Sequence, residues 1–94
     1  MSRLSDDEIA AALATSEWTR EGDAIARDFK REDFAAAMAL AVRAGELAEA
    51  ANHHPDILIH GWNKVRLTLS THSEGKVTQA DHDLAAGIDG LGVG

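Results

Sequence analysis

Four of the chain's five histidines fall in the run from Glu49 to His72, EAANHHPDILIHGWNKVRLTLSTH, which also holds the only proline. His53 and His54 stand where a helical pattern stops ahead of Pro55, and His72 stands at the end of a strand pattern. An imidazole is the side chain whose ordinary pKa lies nearest neutrality, so accessible histidines at element ends suit general acid–base chemistry. Glu49 precedes His53 by four residues and shares a face with it if the helix extends that far. A carboxylate beside an imidazole orients it and favours its protonated form. Each residue also has a plainer reading. Adjacent histidines can cap the last carbonyls of a helix and meet its dipole, His72 can be a solvated turn residue, and Asp81 can be a helix cap. Taken jointly, the clustering favours an acid–base site, with His60 and His82 as surface residues. A three-histidine metal site is the competing chemistry, because imidazoles suit zinc. Adjacent residues rarely converge on one ion, however, and no HxH or HxxxH spacing supports it, so no metal is expected.

The elements that must position these side chains are few. The 94 residues fit one domain, 1–94, with limited stability to spare, so assembly into an oligomer is expected. Much of the apolar content is alanine, and the aromatic residues are Trp18, Phe29, Phe34 and Trp62. A formal net charge of −7 with no basic stretch disfavours direct contact with nucleic acid. With no cysteine there is neither a disulfide nor a thiolate nucleophile. The acidic start MSRLSDDEIAAALA lacks the pattern of a signal peptide, and no run is long and apolar enough to span a membrane. A soluble, cytoplasmic protein is the expectation.

Ser5 to Ala14 reads as a short helix, with Ser5 and Glu8 as a capping box and Ile9 and Leu13 on one face. Trp18 to Phe29 reads as a hairpin turning at Glu21-Gly22-Asp23. Arg31 to Ala51 reads as a long helix with a stripe of Phe34, Ala37, Met38, Ala41, Val42 and Ala48. Leu40 and Leu47 lie off that stripe, so the apolar surface exceeds what one sheet face needs and implies a second partner. Ile57–Ile59 is a short strand. From Asn63 to Thr71, Val65, Leu67 and Leu69 alternate with Arg66, Thr68 and Ser70, and His72 follows the polar side. Ser73–Lys76 is a turn, and Thr78 caps a last helix with Asp81 reciprocating and Leu84, Ile88 and Leu91 buried. The fold class that follows is α+β: a four-stranded antiparallel sheet with three helices packed on one face, in the order α-β-β-α-β-β-α.

The spacing Glu49-x-x-x-His53-His54-Pro55, then Trp62, His72 and Asp81, resembles the pattern of the pterin-4a-carbinolamine dehydratases, also known as dimerisation cofactors of a homeodomain transcription factor. Gly22-Asp23-Ala24-Ile25, Asp33-Phe34, Trp62-Asn63-Lys64-Val65 and Leu69-Ser70-Thr71-His72 extend the likeness over nearly the whole chain. The resemblance implies a dehydratase, a lyase that removes water from 4a-hydroxytetrahydropterin in the recycling of a tetrahydrobiopterin-type cofactor. It needs no organic cofactor and no metal. By position, His53 and His72 look like the acid–base pair and His54 like the residue that orients the pterin. Glu49, Pro55, Asp56, Ser70 and Thr71 look like the substrate-binding surround, Glu49 supporting a histidine and Ser70-Thr71 meeting the ring edge. The implied partners are the pterin and further copies of the chain, as a homodimer or homotetramer joined through the long helix or the sheet edge. The family also includes interaction modules, so a non-catalytic dimeric protein on the same scaffold is the alternative. Departures from the pattern are Ile57, where some members carry an aromatic residue, Ala80, where many carry a basic one, and Arg66, where some relatives carry histidine.

Overall fold

The computed structural model describes residues 5–14, 16–71 and 77–91. The expected turn at 73–76, the tail from Gly92 and His72 itself lie outside them. The order is α1 (Asp6–Leu13), β1 (Thr19–Glu21), β2 (Ala24–Lys30), α2 (Phe34–Ala51), β3 (Asp56–His60), β4 (Lys64–Leu69) and α3 (Gln79–Asp89). The four strands form one antiparallel sheet in the order β1-β2-β4-β3. This is the fold class the sequence pattern implies.

Local chemistry sets the boundaries. Ser5 Oγ accepts from the Glu8 amide at 3.1 Å while Glu8 Oε1 accepts from the Ser5 amide at 2.9 Å, closing the expected capping box. Hydrogen bonds to it from the Ser5 amide and, second, from the Ser5 hydroxyl hold the Glu8 carboxyl below the usual carboxylate range. The β1–β2 hairpin turns through Gly22 and Asp23, with Gly22 at φ +61, a conformation that favours glycine. Trp18 stands just before β1 rather than in it, fixed by Ser16 Oγ on its amide at 3.0 Å. The long helix starts three residues later than the pattern implies. Asp33 caps it, accepting from the Ala36 amide at 2.8 Å, and Arg31 belongs instead to the turn, its amide donating to Asn63 O at 2.7 Å.

The core lies between the sheet and the three helices. Ile25 and Phe29 of β2 face the same side as Val65, Leu67 and Leu69 of β4, as the register Ile25↔Leu69 and Phe29↔Val65 requires. Against them pack Ile9 of α1, Leu84 and Ile88 of α3, and a largely alanine face of α2: Ala37, Leu40, Ala44 and Ala48. That last set corrects the expected stripe. Phe34, Met38 and Val42 point outward, at 54%, 43% and 57% exposure, and the smaller residues face the sheet. Alanine lets the helix axis approach the strands closely, so the sheet takes the narrow face and the bulky one is left over. At the far end, Trp18 Nε1 donates to both oxygens of Asp89 at 3.0 and 3.1 Å, and Arg27 pairs with the same carboxylate at 2.7 Å while lying over the Phe29 ring. The opposite face of the sheet is polar. There Arg66 meets Asp28 at 2.8 Å and also Glu21, whose carboxylate raises the guanidinium above its ordinary pKa.

Candidate functional site

The end of α2 decides where the two adjacent histidines go. Asn52 adopts the left-handed conformation, φ 51 and ψ 43, which asparagine tolerates better than most residues. Its amide donates to Glu49 O at 3.1 Å and the His53 amide donates to Ala48 O at 3.0 Å, the paired bonds of a Schellman termination. The reversal takes His53 off the helix face that Glu49 occupies. Glu49 therefore meets His54, at 2.7 Å between Oε1 and Nε2, in an exposed pair. The expected sharing of a helical face by Glu49 and His53 does not occur, because the helix ends at Ala51, two residues before His53.

His53 turns inward to α3. Its Nε2 lies 2.5 Å from Asp81 Oδ1, with the His53 side chain 12% and the Asp81 side chain 0% exposed. The second carboxylate oxygen, Oδ2, accepts from the Thr78 amide at 2.8 Å and from Thr71 Oγ1 at 2.9 Å. Thr71 and Thr78 hydroxyls are themselves 2.7 Å apart. Asp81 is thus the helix cap the sequence pattern implies and, in addition, the partner of a histidine 28 residues earlier. A capping aspartate leaves one oxygen over, and nothing local in the sequence says where that oxygen points.

His53 also lines a cleft of about 360 Å³ between the end of α2 and α3, within the range of small-molecule sites. Leu47, Ala51, Leu84 and Gly87 supply apolar walls, and Asn52 and Asp83 supply polar groups beside the imidazole. Ala80, at the position where the family pattern often has a basic residue, lies on the same wall. Asn52, Asp83 and Leu84 were not singled out as site residues from sequence. Their signal is weak, a cap and one turn of an amphipathic helix.

Among the other expected residues, Thr71 joins the Asp81 network through its side chain, Ser70 and Pro55 are half-buried, and Asp56 is exposed at the start of β3. His72 lies outside the described residues, next in the chain to Thr71. His60 lies 3.4 Å from Asp28 on the polar sheet face. His82, expected on the surface, is partly buried between α1 and α3, and its Nε2 has no hydrogen-bond partner among the described residues. No three histidine, aspartate or glutamate side chains among the described residues are grouped to hold a metal ion.

Comparison with known proteins bears on this geometry. The sequence model of the family described as Pterin 4 alpha carbinolamine dehydratase matches residues 2–91. A Nocardia farcinica protein carrying the provisional name pterin-4-alpha-carbinolamine dehydratase is 54% identical over 89 residues, covering 94% of this chain and 93% of that one. A Roseiflexus protein with the same provisional name is 50% identical, covering 93% and 94%. The crystal structure of a transcriptional coactivator/pterin dehydratase from Brucella melitensis superposes with a TM-score of 0.90 at 35% identity, covering 99% of this chain and all of that one. With a matching sequence model over nearly its full length, relatives at half identity and a shared fold, the chain belongs to the pterin-4a-carbinolamine dehydratase family.

Proposed function

We propose that the chain is a 4a-hydroxytetrahydropterin dehydratase working as one 94-residue unit in the cytoplasm. The observation that supports this best is His53 on the wall of a ligand-sized cleft, with its far nitrogen held by a buried carboxylate. In the reaction the C4a–O bond breaks as the hydroxyl receives a proton and leaves as water. N5 gives up its proton, and its electron pair forms the C4a=N5 bond of the quinonoid dihydropterin. Electrons and atoms balance without an oxidant or a second substrate. Two imidazoles, His53 and His72, supply and remove the two protons. His54, exposed and paired with Glu49, orients the pterin at the mouth of the site, with Pro55, Asp56, Ser70 and Thr71 in the surround.

Stopped-flow absorbance tests the reading. Decay of a 4a-carbinolamine should accelerate in proportion to protein added, and should do so equally after exhaustive dialysis against a chelator, because imidazoles alone can move both protons. No acceleration would hand the lead to a non-catalytic interaction module. Activity lost to the chelator and restored by zinc would replace acid–base catalysis with metal catalysis.

The proposed assembly is a homodimer or homotetramer that covers the outward stripe of α2, Phe34, Met38 and Val42, with the exposed Ile57 and Leu58 of edge strand β3 as a second contact. Light scattering at micromolar concentration should give at least twice the 10.0 kDa chain mass. Met38→Glu with Val42→Glu should lower that mass by placing charges in the covered stripe. A wild-type monomer, or an assembly indifferent to both changes, refutes the contact through α2.

A further inference from the structure

We propose that Asp81 is the positioning residue of this site: it holds the neutral His53 ring with its proton on Nε2, which leaves Nδ1 as the nitrogen that exchanges a proton with substrate. The last clause rests on the dehydratase reading, and the assignment of the proton does not.

A neutral imidazole carries one N–H, and its partners decide which nitrogen bears it. Nε2 faces Asp81 Oδ1 at 2.5 Å, and a carboxylate only accepts, so Nε2 must donate. The carboxylate is not free to turn away. Oδ2 is engaged by the Thr78 amide at 2.8 Å and by Thr71 Oγ1 at 2.9 Å. Thr71 has one hydroxyl proton, and that proton goes to Asp81. At the 2.7 Å contact Thr71 Oγ1 is therefore the acceptor and Thr78 Oγ1 the donor. The Thr78 amide and the Thr71 hydroxyl both point at Oδ2, which leaves Oδ1 to His53. Asp81, Thr71 and Thr78 are all buried, so water does not replace a lost partner cheaply. Among the described residues no hydrogen bond engages His53 Nδ1, while the ring lines the cleft.

Asp81→Asn keeps the shape of this side chain and breaks its logic. The Thr78 amide can only donate, so the Asn carbonyl oxygen must face it and Thr71. The new amide NH₂ then faces His53 Nε2, which has to accept, and the ring proton moves to Nδ1. A misplaced tautomer with intact geometry costs catalysis far more than binding. The variant should lose about 10²–10⁴-fold in kcat with KM little changed.

The decisive readout is the ¹⁵N shift pattern of His53 in its neutral form, obtained by long-range ¹H–¹⁵N correlation. In the native protein it should show a protonated Nε2 and a bare Nδ1, and in Asp81→Asn the reverse. A native protein with the His53 proton on Nδ1 overturns the proposal, and that measurement needs no variant. So does a folded Asp81→Asn protein that keeps the native tautomer together with native kcat. The tautomer is read without turnover, so a wild-type chain with no dehydratase activity would refute the dehydratase reading and still leave the role of Asp81 decided.

Discussion

His53→Ala and His72→Ala should each lower kcat by about 10²–10⁴-fold, and the double variant should fall to the uncatalysed rate of dehydration. The two losses should not add, because in the proposed mechanism the residues serve one proton inventory: with the acid gone, little would be left for the base to do. Spontaneous dehydration sets a floor that compresses both values. His54→Ala should act mainly on KM. The three variants should also separate in stability. His53 Nε2 lies 2.5 Å from a fully buried carboxylate, so truncating the ring leaves that carboxylate short of a partner at a cost of about 1–3 kcal/mol. The His54–Glu49 pair is exposed, and losing it should cost well under about 1 kcal/mol. Steady-state kinetics with thermal melts on the same preparations checks both axes. Near-native turnover in the double variant, with native circular dichroism, would remove the histidines from the mechanism.

Leu67→Ala should be the most damaging single truncation outside the site. Leu67 is fully buried at the middle of β4, one of the two strands paired on both sides, opposite Arg27 of β2 and Ile57 of β3. Removing most of a buried leucine costs about 2–5 kcal/mol, through lost transfer energy and the cavity left behind. Domains of this size have only about 5–15 kcal/mol in total. A drop in Tm of about 8–40 °C is expected, at roughly 4–8 °C per kcal/mol. Leu58→Ala, on exposed β3, should stay within about 0.5 kcal/mol of native in the monomer. Equal effects of the two truncations in urea unfolding would mean that β4 is not the centre of the core.

Much of the fold was legible because its signals are local. Ser5 with Glu8, Thr78 with Asp81, Gly22 in a turn and Val65-Leu67-Leu69 in alternation each need only neighbouring residues to be read. The long helix shows where such reading ends. Both sides of α2 are apolar, and periodicity alone puts the bulky Phe34, Met38 and Val42 in one stripe with Ala37, Ala41 and Ala48, leaving Leu40 off it. Packing chose Ala37, Leu40, Ala44 and Ala48, because a close helix–sheet approach rewards small side chains. The site was half legible for a related reason. Three histidines and their spacing are visible in one dimension. The pairing of Glu49 with His54 instead of His53 depends on the left-handed turn at Asn52. The bond from His53 to Asp81 spans 28 residues and two elements. Arg66, read only as a departure from the family pattern, gains its place from ion pairs with Glu21 and Asp28 across the polar sheet face.

The burial of Trp18 has an optical consequence. The chain has two tryptophans and no tyrosine. Trp18 is 2% exposed and Trp62, in the β3–β4 turn, is 63% exposed. The protein therefore carries two emitters in opposite solvent environments, and a collisional quencher such as iodide reaches one and not the other. The quenchable fraction of the fluorescence reports what covers the β3–β4 turn. The unquenchable fraction reports whether α1, β2 and α3 are still closed around Trp18, so the two can be followed in one cuvette without a label.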